Sequence, residues 1–305
     1  MIRIPGKVFL CGEYAVLAGA PAVLAAVGPY GTVALDARAG ALSPFVEAAL
    51  QRASVWLAEL GKAMPVGLPA INTDAFRAED GKKLGLGSSA VATVGALAAV
   101  IDAAGLEVTD PAVRTRLTAL AIDAHRAAQG GTGSGADIAT CVHGGFIRYV
   151  TGDAGPQVTA LRPPPGLMLA LVWSGSSAST SSMVGQVRRA GAALDQLAVL
   201  AHAFADAFAG DDPAAVIAAA KCYGHALRTL GDQAGVPVVT RAFERYMAIA
   251  ERQGGAAKPS GAGGGDLGVA FLPSAEAAAA VARDAVAEGL VPCELGWDVG
   301  GVRQA

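Results

Sequence analysis

An α+β architecture is what this 305-residue sequence predicts, and three observations predict it. Apolar runs of strand length and stretches of helical periodicity interleave, but without the strict alternation that a doubly wound parallel sheet requires. Glycine and proline, 40 and 16 of them, punctuate the chain throughout. Apolar residues make up 53% and charged residues only 16%, below the usual quarter, which is ample material for one large core or two ordinary ones.

Taken in chain order, Ile2 to Leu10 and Thr32 to Ala37 read as strands among turns. A helix follows from about Ser88 to Ala104, with Val91, Val94, Leu97, Val100 and Ile101 at helical spacing. The next helix has local boundary chemistry: Asp110 to cap it, Pro111 at its first position, a face of Val113, Leu117, Leu120 and Ala124, and Gly130 to stop it. Prolines and glycines between Gly152 and Gly166 mark a surface connection, the best seam for dividing the chain into residues 1–160 and 161–305. Beyond it come a buried strand, Leu167 to Trp173, and helical patterns over Ser182 to Ala209, Pro213 to Leu230 and Val239 to Gln253. A strand at Leu267 to Leu272, a helix at Ala275 to Glu288 and an extended segment at Leu295 to Arg303 complete the chain.

Composition also excludes whole classes. A net charge of −3 at pI 5.8, with high hydrophobicity, argues against disorder and against a bare nucleic-acid binder. Three uncharged runs, Ala15 to Leu35, Leu84 to Ile101 and Pro163 to Val187, imitate membrane spans, but they are interrupted by Gly, Pro and Ser where a span needs about 20 strongly apolar residues. Glu13 breaks any signal-peptide core, and Cys11, Cys141, Cys222 and Cys293 form no Cys-x-x-Cys pair. The expectation is a cytoplasmic protein with neither membrane nor nucleic-acid partner. Cys11 reads as a small buried apolar residue.

Chemistry concentrates in three glycine-rich segments. In Leu84-Gly-Leu-Gly-Ser-Ser-Ala90 the glycines let backbone amides approach a ligand, Ser88 and Ser89 supply hydroxyls, and the helix start supplies unpaired N–H groups. That is an anion cradle; an ordinary Ser-capped helix after a turn accounts for the same residues. The polar stretch before Gly85 cannot be the buried strand of a dinucleotide fold, and no Walker A sequence exists in the chain. The second segment, Gly130 to Asp137, ends in a carboxylate that can be aimed into a cleft or can simply cap the next helix. The third, Lys258-Pro-Ser-Gly-Ala-Gly-Gly-Gly-Asp266, excludes side-chain bulk so that something approaches its backbone, or is a flexible loop.

Together with Pro5-Gly-Lys-Val-Phe-Leu-Cys-Gly-Glu-Tyr14, these segments resemble, in order and spacing, the signature motifs of the GHMP small-molecule kinase superfamily, over nearly the whole chain. Lys83 to Ala90, Ala124-His-x-x-x-Gln-Gly130 with Gly133-Ser-Gly-x-Asp137, Trp173 to Thr180 and Lys258 to Asp266 are similar to its phosphomevalonate kinase branch. The resemblance implies an N-terminal domain like ribosomal protein S5 domain 2, a C-terminal ferredoxin-like domain, and an active site between them. It implies ATP as co-substrate, Mg²⁺ as cofactor and mevalonate 5-phosphate as acceptor; mevalonate kinase, or a silent ligand-binding homologue, would carry similar motifs.

For individual residues it implies that Gly85, Leu86, Gly87, Ser88, Ser89 and Ala90 wrap the ATP phosphates, that Lys7 and Asp137 sit at the reacting centre, and that Ser89 is a Mg²⁺ ligand. Lys83, Ser134, Ser176, Thr180, Lys258, Ser260, Gly261, Ala262 and Gly263 are the expected substrate side, with Ser179 and the Arg188-Arg189 pair as further candidates. His125 stands where mevalonate-kinase-like members carry a metal-binding Glu. A monomer or homodimer is expected.

Overall fold

The computed structural model describes residues 1–37, 40–152, 155–176, 180–187 and 191–305; the side chains at 180–182 and 184 lie outside that description. The chain builds two sheets, and every named pairing in both is antiparallel. The first contains β1 (Ile2–Cys11), β2 (Ala22–Asp36), β3 (Leu68–Asn72), β4 (Phe146–Gly152), β5 (Gly155–Leu161) and β10 (Arg303–Gln304), in the order β10-β1-β2-β4-β5 with β3 beside β2. Helices α1 (Pro44–Glu59), α2 (Ser88–Ala103), α3 (Pro111–Ala128) and α4 (Ala136–His143) accompany it. The second sheet, β7-β8-β6-β9, contains β6 (Met168–Trp173), β7 (Ala256–Pro259), β8 (Leu267–Leu272) and β9 (Val291–Cys293). With it go α5 (Thr180–Val187), α6 (Gly191–Ala209), α7 (Pro213–Ala234), α8 (Arg241–Arg252) and α9 (Ala275–Ala287).

Small residues set how closely these layers approach. A Cβ on Gly31 of β2 would lie 2.3 Å from Val91 Cγ1, and one on Gly95 of α2 would lie 2.5 Å from Val33 Cγ2. Both distances are impossible for real atoms, so α2 sits on β2 only because glycine occupies both positions. Ala90, Val91, Val94, Ala96, Leu97, Ala98, Val100 and Ile101 are all buried, so α2 is a central helix with no solvated face to speak of. Part of the glycine and alanine excess is thereby structural.

The α+β expectation holds, and the elements depart from the sequence reading at particular places. No element was expected over 44–59, where α1 buries Val46, Ala49, Ala53, Trp56 and Leu57. The seam is narrower than the Gly152 to Gly166 stretch, because β4 and β5 form a hairpin whose last pair is Gly152 with Gly155 and whose second strand runs to Leu161. The extended segment at 295–303 is strand only from Arg303; the rest is irregular, with an isolated antiparallel bridge from Trp297 to Val27 that fastens it to the first sheet. Asp298 N bonds Ala26 O at 2.9 Å, Gly145 N bonds Asp298 O at 2.6 Å, and Arg114 Nη2 bonds Gly300 O at 2.6 Å. The Asp298 carboxylate takes Arg303, Tyr30 and the Gly300 and Gly301 amides, so the chain end returns to complete the first sheet.

The three uncharged runs resolve into broken elements: a 3₁₀ turn with β2, a glycine turn with α2, and β6 with α5. The described helix that does reach spanning length and apolarity is α6, which buries Leu197, Phe204 and Phe208 among others.

Candidate active site

Two helix N-termini show why the first glycine segment is a cradle. At α3 the Asp110 carboxylate accepts from Ala112 N at 2.8 Å and from Val113 N at 3.1 Å, so its first-turn donors are satisfied. At α2 no side chain caps, and the N-cap is Gly87 in the left-handed region at φ 87°. The first-turn N–H groups of α2, on Ser88, Ser89 and Ala90, thus remain available to an anion, with the helix dipole behind them. The alternative of a Ser-capped helix is not what forms.

The loop before α2 lies on β1. Leu86 is buried, its carbonyl accepts from Lys7 N at 3.0 Å, and Gly85 O accepts from Lys7 Nζ at 3.2 Å. A Cβ on Gly87 would come within 3.0 to 3.1 Å of the Lys7 stem. The missing side chain thus makes a slot in which the lysine lies along the cradle, its ammonium half-buried at the loop. Among the described residues Lys7 forms no ion pair with a carboxylate, and its ammonium is bonded to the Gly85 carbonyl alone.

Asp137 enters from the other side. It sits at the second position of α4, whose N-cap is Gly135 at φ 88° with no side-chain cap, and its Oδ1 accepts from Ile138 N at 2.9 Å. Cys141, one turn later and fully buried, reports both charges: burial pushes its thiol up, the Asp137 carboxylate adds to that, and the Lys7 ammonium opposes it. The 130–135 loop is held by two residues the sequence reading missed. Arg126 donates to Gly133 O and Ser134 O, both at 2.8 Å, and Tyr149 OH donates to Ser134 O at 2.6 Å. Ser134 itself turns its Oγ to Ala136 N at 3.2 Å.

His125 is buried and bonds Ser89 Oγ at 3.2 Å, with Phe45 packed 5.1 Å away between ring centres. The position that aligns with a metal-binding Glu therefore does face Ser89, but with an imidazole. Among the described residues no three His, Cys, Asp or Glu side chains gather as a metal cage. The Ser89 hydroxyl, beside the uncapped α2 N-terminus, is an oxygen donor of the kind that Mg²⁺ takes.

The third segment closes over the first. A Cβ on Gly85 would lie 2.6 Å from Asp266 Cβ, so the two loops touch where each lacks bulk. Asp266 N donates to Ser176 O at 2.7 Å, and a Cβ on Gly265 would lie 2.9 Å from both Ser176 O and Oγ, so exposed Ser176 lies against this loop. Gly263, at φ 77°, packs under Val238, whose carbonyl oxygen a Cβ would approach to 2.1 Å. Gly261 N donates to Glu13 Oε1 at 3.3 Å, and Ala262 O accepts from Tyr14 OH at 2.5 Å.

Two expected ligands of the substrate side are placed elsewhere. Lys258 is fully buried, and its ammonium bonds the Glu13 carboxylate and, at 2.8 Å, Pro259 O. Ser260 spends its Oγ on Phe9 N at 2.9 Å. Both hold the loop rather than face open space, because β7, although an edge strand, is covered by α7 and α8 and all four of its residues are buried. Lys83 is exposed, whereas its neighbour Lys82, which the sequence did not single out, reaches Gly175 O at 3.3 Å. Ser179, Arg188, Arg189 and the Thr180 side chain lie outside the described residues.

Comparison with known proteins agrees with this geometry. The family model for the GHMP kinases N terminal domain matches residues 77–145, and that for the GHMP kinases C terminal matches 214–289. A phosphomevalonate kinase of Streptomyces sp. (strain CL190) is 32% identical, the alignment covering 88% of each chain. Among solved structures, the Lin0012 protein from Listeria innocua superposes with a TM-score of 0.88 at 26% identity, over 99% of this chain and 98% of that one. A Streptococcus pneumoniae phosphomevalonate kinase, in complex with phosphomevalonate and AMPPNP, gives 0.83 at 18% identity, over 97% and 99%. With an uncapped glycine cradle, a free lysine beside it and a relative this similar over most of its length, the chain belongs to the GHMP kinase family.

Proposed function

We propose that this protein is a phosphomevalonate kinase, transferring the γ-phosphoryl group of ATP to mevalonate 5-phosphate to give mevalonate 5-diphosphate and ADP. The observation that carries the assignment is the 32% identity to a phosphomevalonate kinase over 88% of both chains. The site chemistry agrees with it. An acceptor that is a phosphate monoester has a second pKa of about 6, so near neutral pH it is already an anionic nucleophile and needs no strong base. The barrier is bringing two multiply charged anions together, which calls for positioning and charge neutralisation.

The residues divide that work. The α2 N-terminus with Gly85 to Ala90 takes the ATP phosphates. Lys7, whose ammonium donates to the Gly85 carbonyl and meets no carboxylate among the described residues, turns to the transferring phosphoryl group. Asp137, whose charge acts on the same Cys141 thiol as that of Lys7, orients Lys7 or a bound metal through space rather than removing a proton; with an alcohol acceptor the same carboxylate would have to accept a proton. Ser89 Oγ would help to hold a Mg²⁺, which when bound would supply further charge neutralisation. Lys83 and Ser176 lie on the acceptor side, and Gly261 to Gly263 form the wall beside them.

Residues 1–160 form the ATP-binding part and 161–305 the second part, with the chain end crossing back to the first sheet. The enzyme works in the cytoplasm as a monomer or homodimer on a small-molecule substrate, without nucleic acid or membrane. An ATP-coupled assay with mevalonate and mevalonate 5-phosphate side by side tests the reading: turnover of the phosphorylated acceptor is expected, and turnover of mevalonate alone would overturn it.

A further inference from the structure

We infer that the buried Glu13–Lys258 pair positions the active site, fixing the register of the third glycine loop against the strand that carries Lys7. The inference rests on the kinase reading above, and the residues it names are positioning residues that act through the loop. The pair bridges distant parts of the chain, and its side chains are 2% and 0% exposed. Glu13 Oε1 takes the Lys258 ammonium and the Gly261 amide together, while Oε2 is buried with no protein hydrogen-bond partner. Among the described residues the carboxylate thus has few protein donors, and Lys258 is the cation that faces it.

Three further contacts run parallel to the pair. Phe9 N bonds Ser260 Oγ, Tyr14 OH bonds Ala262 O, and Tyr223 OH donates to Glu13 O at 2.7 Å, with the Lys258 ammonium 5.9 Å from the Tyr223 ring centre. The loop then passes through Asp266 to Gly85, and Gly85 O holds Lys7 Nζ. Lys7, β1, Glu13, the 258–266 loop and the phosphate loop thus make a closed mechanical circuit. Glycine supplies no side-chain anchors at 261 and 263–265, so the circuit's stiffness along the loop comes from its ends, and the pair anchors one end.

The experiment separates positioning from mere burial of charge. Glu13→Gln/Lys258→Met removes both charges at similar volume and leaves neither orphaned, so it should melt close to wild type and above either single variant. In that double variant, amide exchange over 260–266 in the ligand-free enzyme should accelerate about tenfold or more while β2 amides stay protected. Its kcat on mevalonate 5-phosphate should fall about tenfold or more, with KM for ATP changed less than about threefold. Wild-type exchange in the loop, or wild-type kcat in a well-folded double variant, would overturn the inference. Should wild type itself fail to turn over mevalonate 5-phosphate, the substrate assignment fails, and the exchange measurement still decides whether the pair holds the loop. If the double variant does not fold, Glu13→Asp keeps the charge but retracts it by one methylene, and the same loop exchange must rise.

Discussion

Two lysines, each at the rim of a glycine segment, occupy opposite situations. Lys7 lies half-buried along the first cradle, its ammonium bonded to one carbonyl, with no carboxylate partner among the described residues. Lys258 is wholly buried, and its ammonium is divided between Glu13 and Pro259 O. A cation that must neutralise charge developing on a ligand needs spare donors and little prior compensation, whereas one that braces a loop needs its donors consumed. The first is equipped for chemistry and the second for architecture, and substitution should separate them.

The largest effect falls on the braced lysine. Lys258→Met leaves the Glu13 carboxylate buried without its counter-charge, which should cost about 3–5 kcal/mol of folding stability. Urea or thermal unfolding reads it directly, and a loss below about 1 kcal/mol would mean that water reaches Glu13.

Lys7→Met should leave stability almost untouched and lower kcat by about 10²–10³, the scale of removing one preorganised donor at a charge that develops in the transition state. ATP affinity should fall much less. An unchanged kcat would remove Lys7 from the reacting centre and with it the contrast between the two lysines.

Legibility of these features follows how local their causes are. Helix α3 begins where Asp110 and Pro111 say it should, since capping is chemistry among neighbours in sequence. Strand β8 was readable as an uninterrupted apolar run. Helix α1 was not, although Ser43 precedes it and Pro44 opens it, because its alanines blur the apolar periodicity that marks a helix. The glycine segments could be found and ordered from sequence, but the contact between Ser176 and the third of them could not. What spacing could not give is partnership. Nothing in Lys258-Pro-Ser says that Glu13, 245 positions away, consumes the charge, nor does the Ala124-His125 pair say that the imidazole meets Ser89. Arg126 was available as a signal, a long cation one turn before a glycine loop full of carbonyls, and it was overlooked.

Between the lysines stands Gly85, where the first and third segments touch. Gly85→Ala adds a methyl at φ 80° and 2.6 Å from Asp266 Cβ, so it combines a left-handed penalty of about 1–2 kcal/mol with a forced parting of the loops. About a tenfold loss in kcat/KM for ATP is expected, with a smaller change in unfolding midpoint. Equal losses for ATP and the acceptor would show that the contact serves the whole cleft rather than the phosphate loop.

The smallest effect belongs to Lys82, and it tests whether position or mere proximity makes a lysine catalytic. Like Lys7 it lies near the cleft: its ammonium contacts Gly175 O at 3.3 Å and Asp80 at 2.8 Å, and stands 6.0 Å from the Trp173 ring centre. Its side chain, however, is 52% exposed, so water screens each of these contacts and the Asp80 pair competes with solvent at little net gain. Lys82→Ala should leave kcat within about twofold of wild type and the melting temperature unresolved from it, any change showing as a salt-sensitive rise in acceptor KM. A loss matching that of Lys7→Met would mean that the contact from Lys82 to the 173–175 segment closes the cleft during turnover. The distinction between the two sites would then rest on cleft closure, with burial and spare hydrogen-bonding capacity no longer sufficient to separate a working lysine from a bystander.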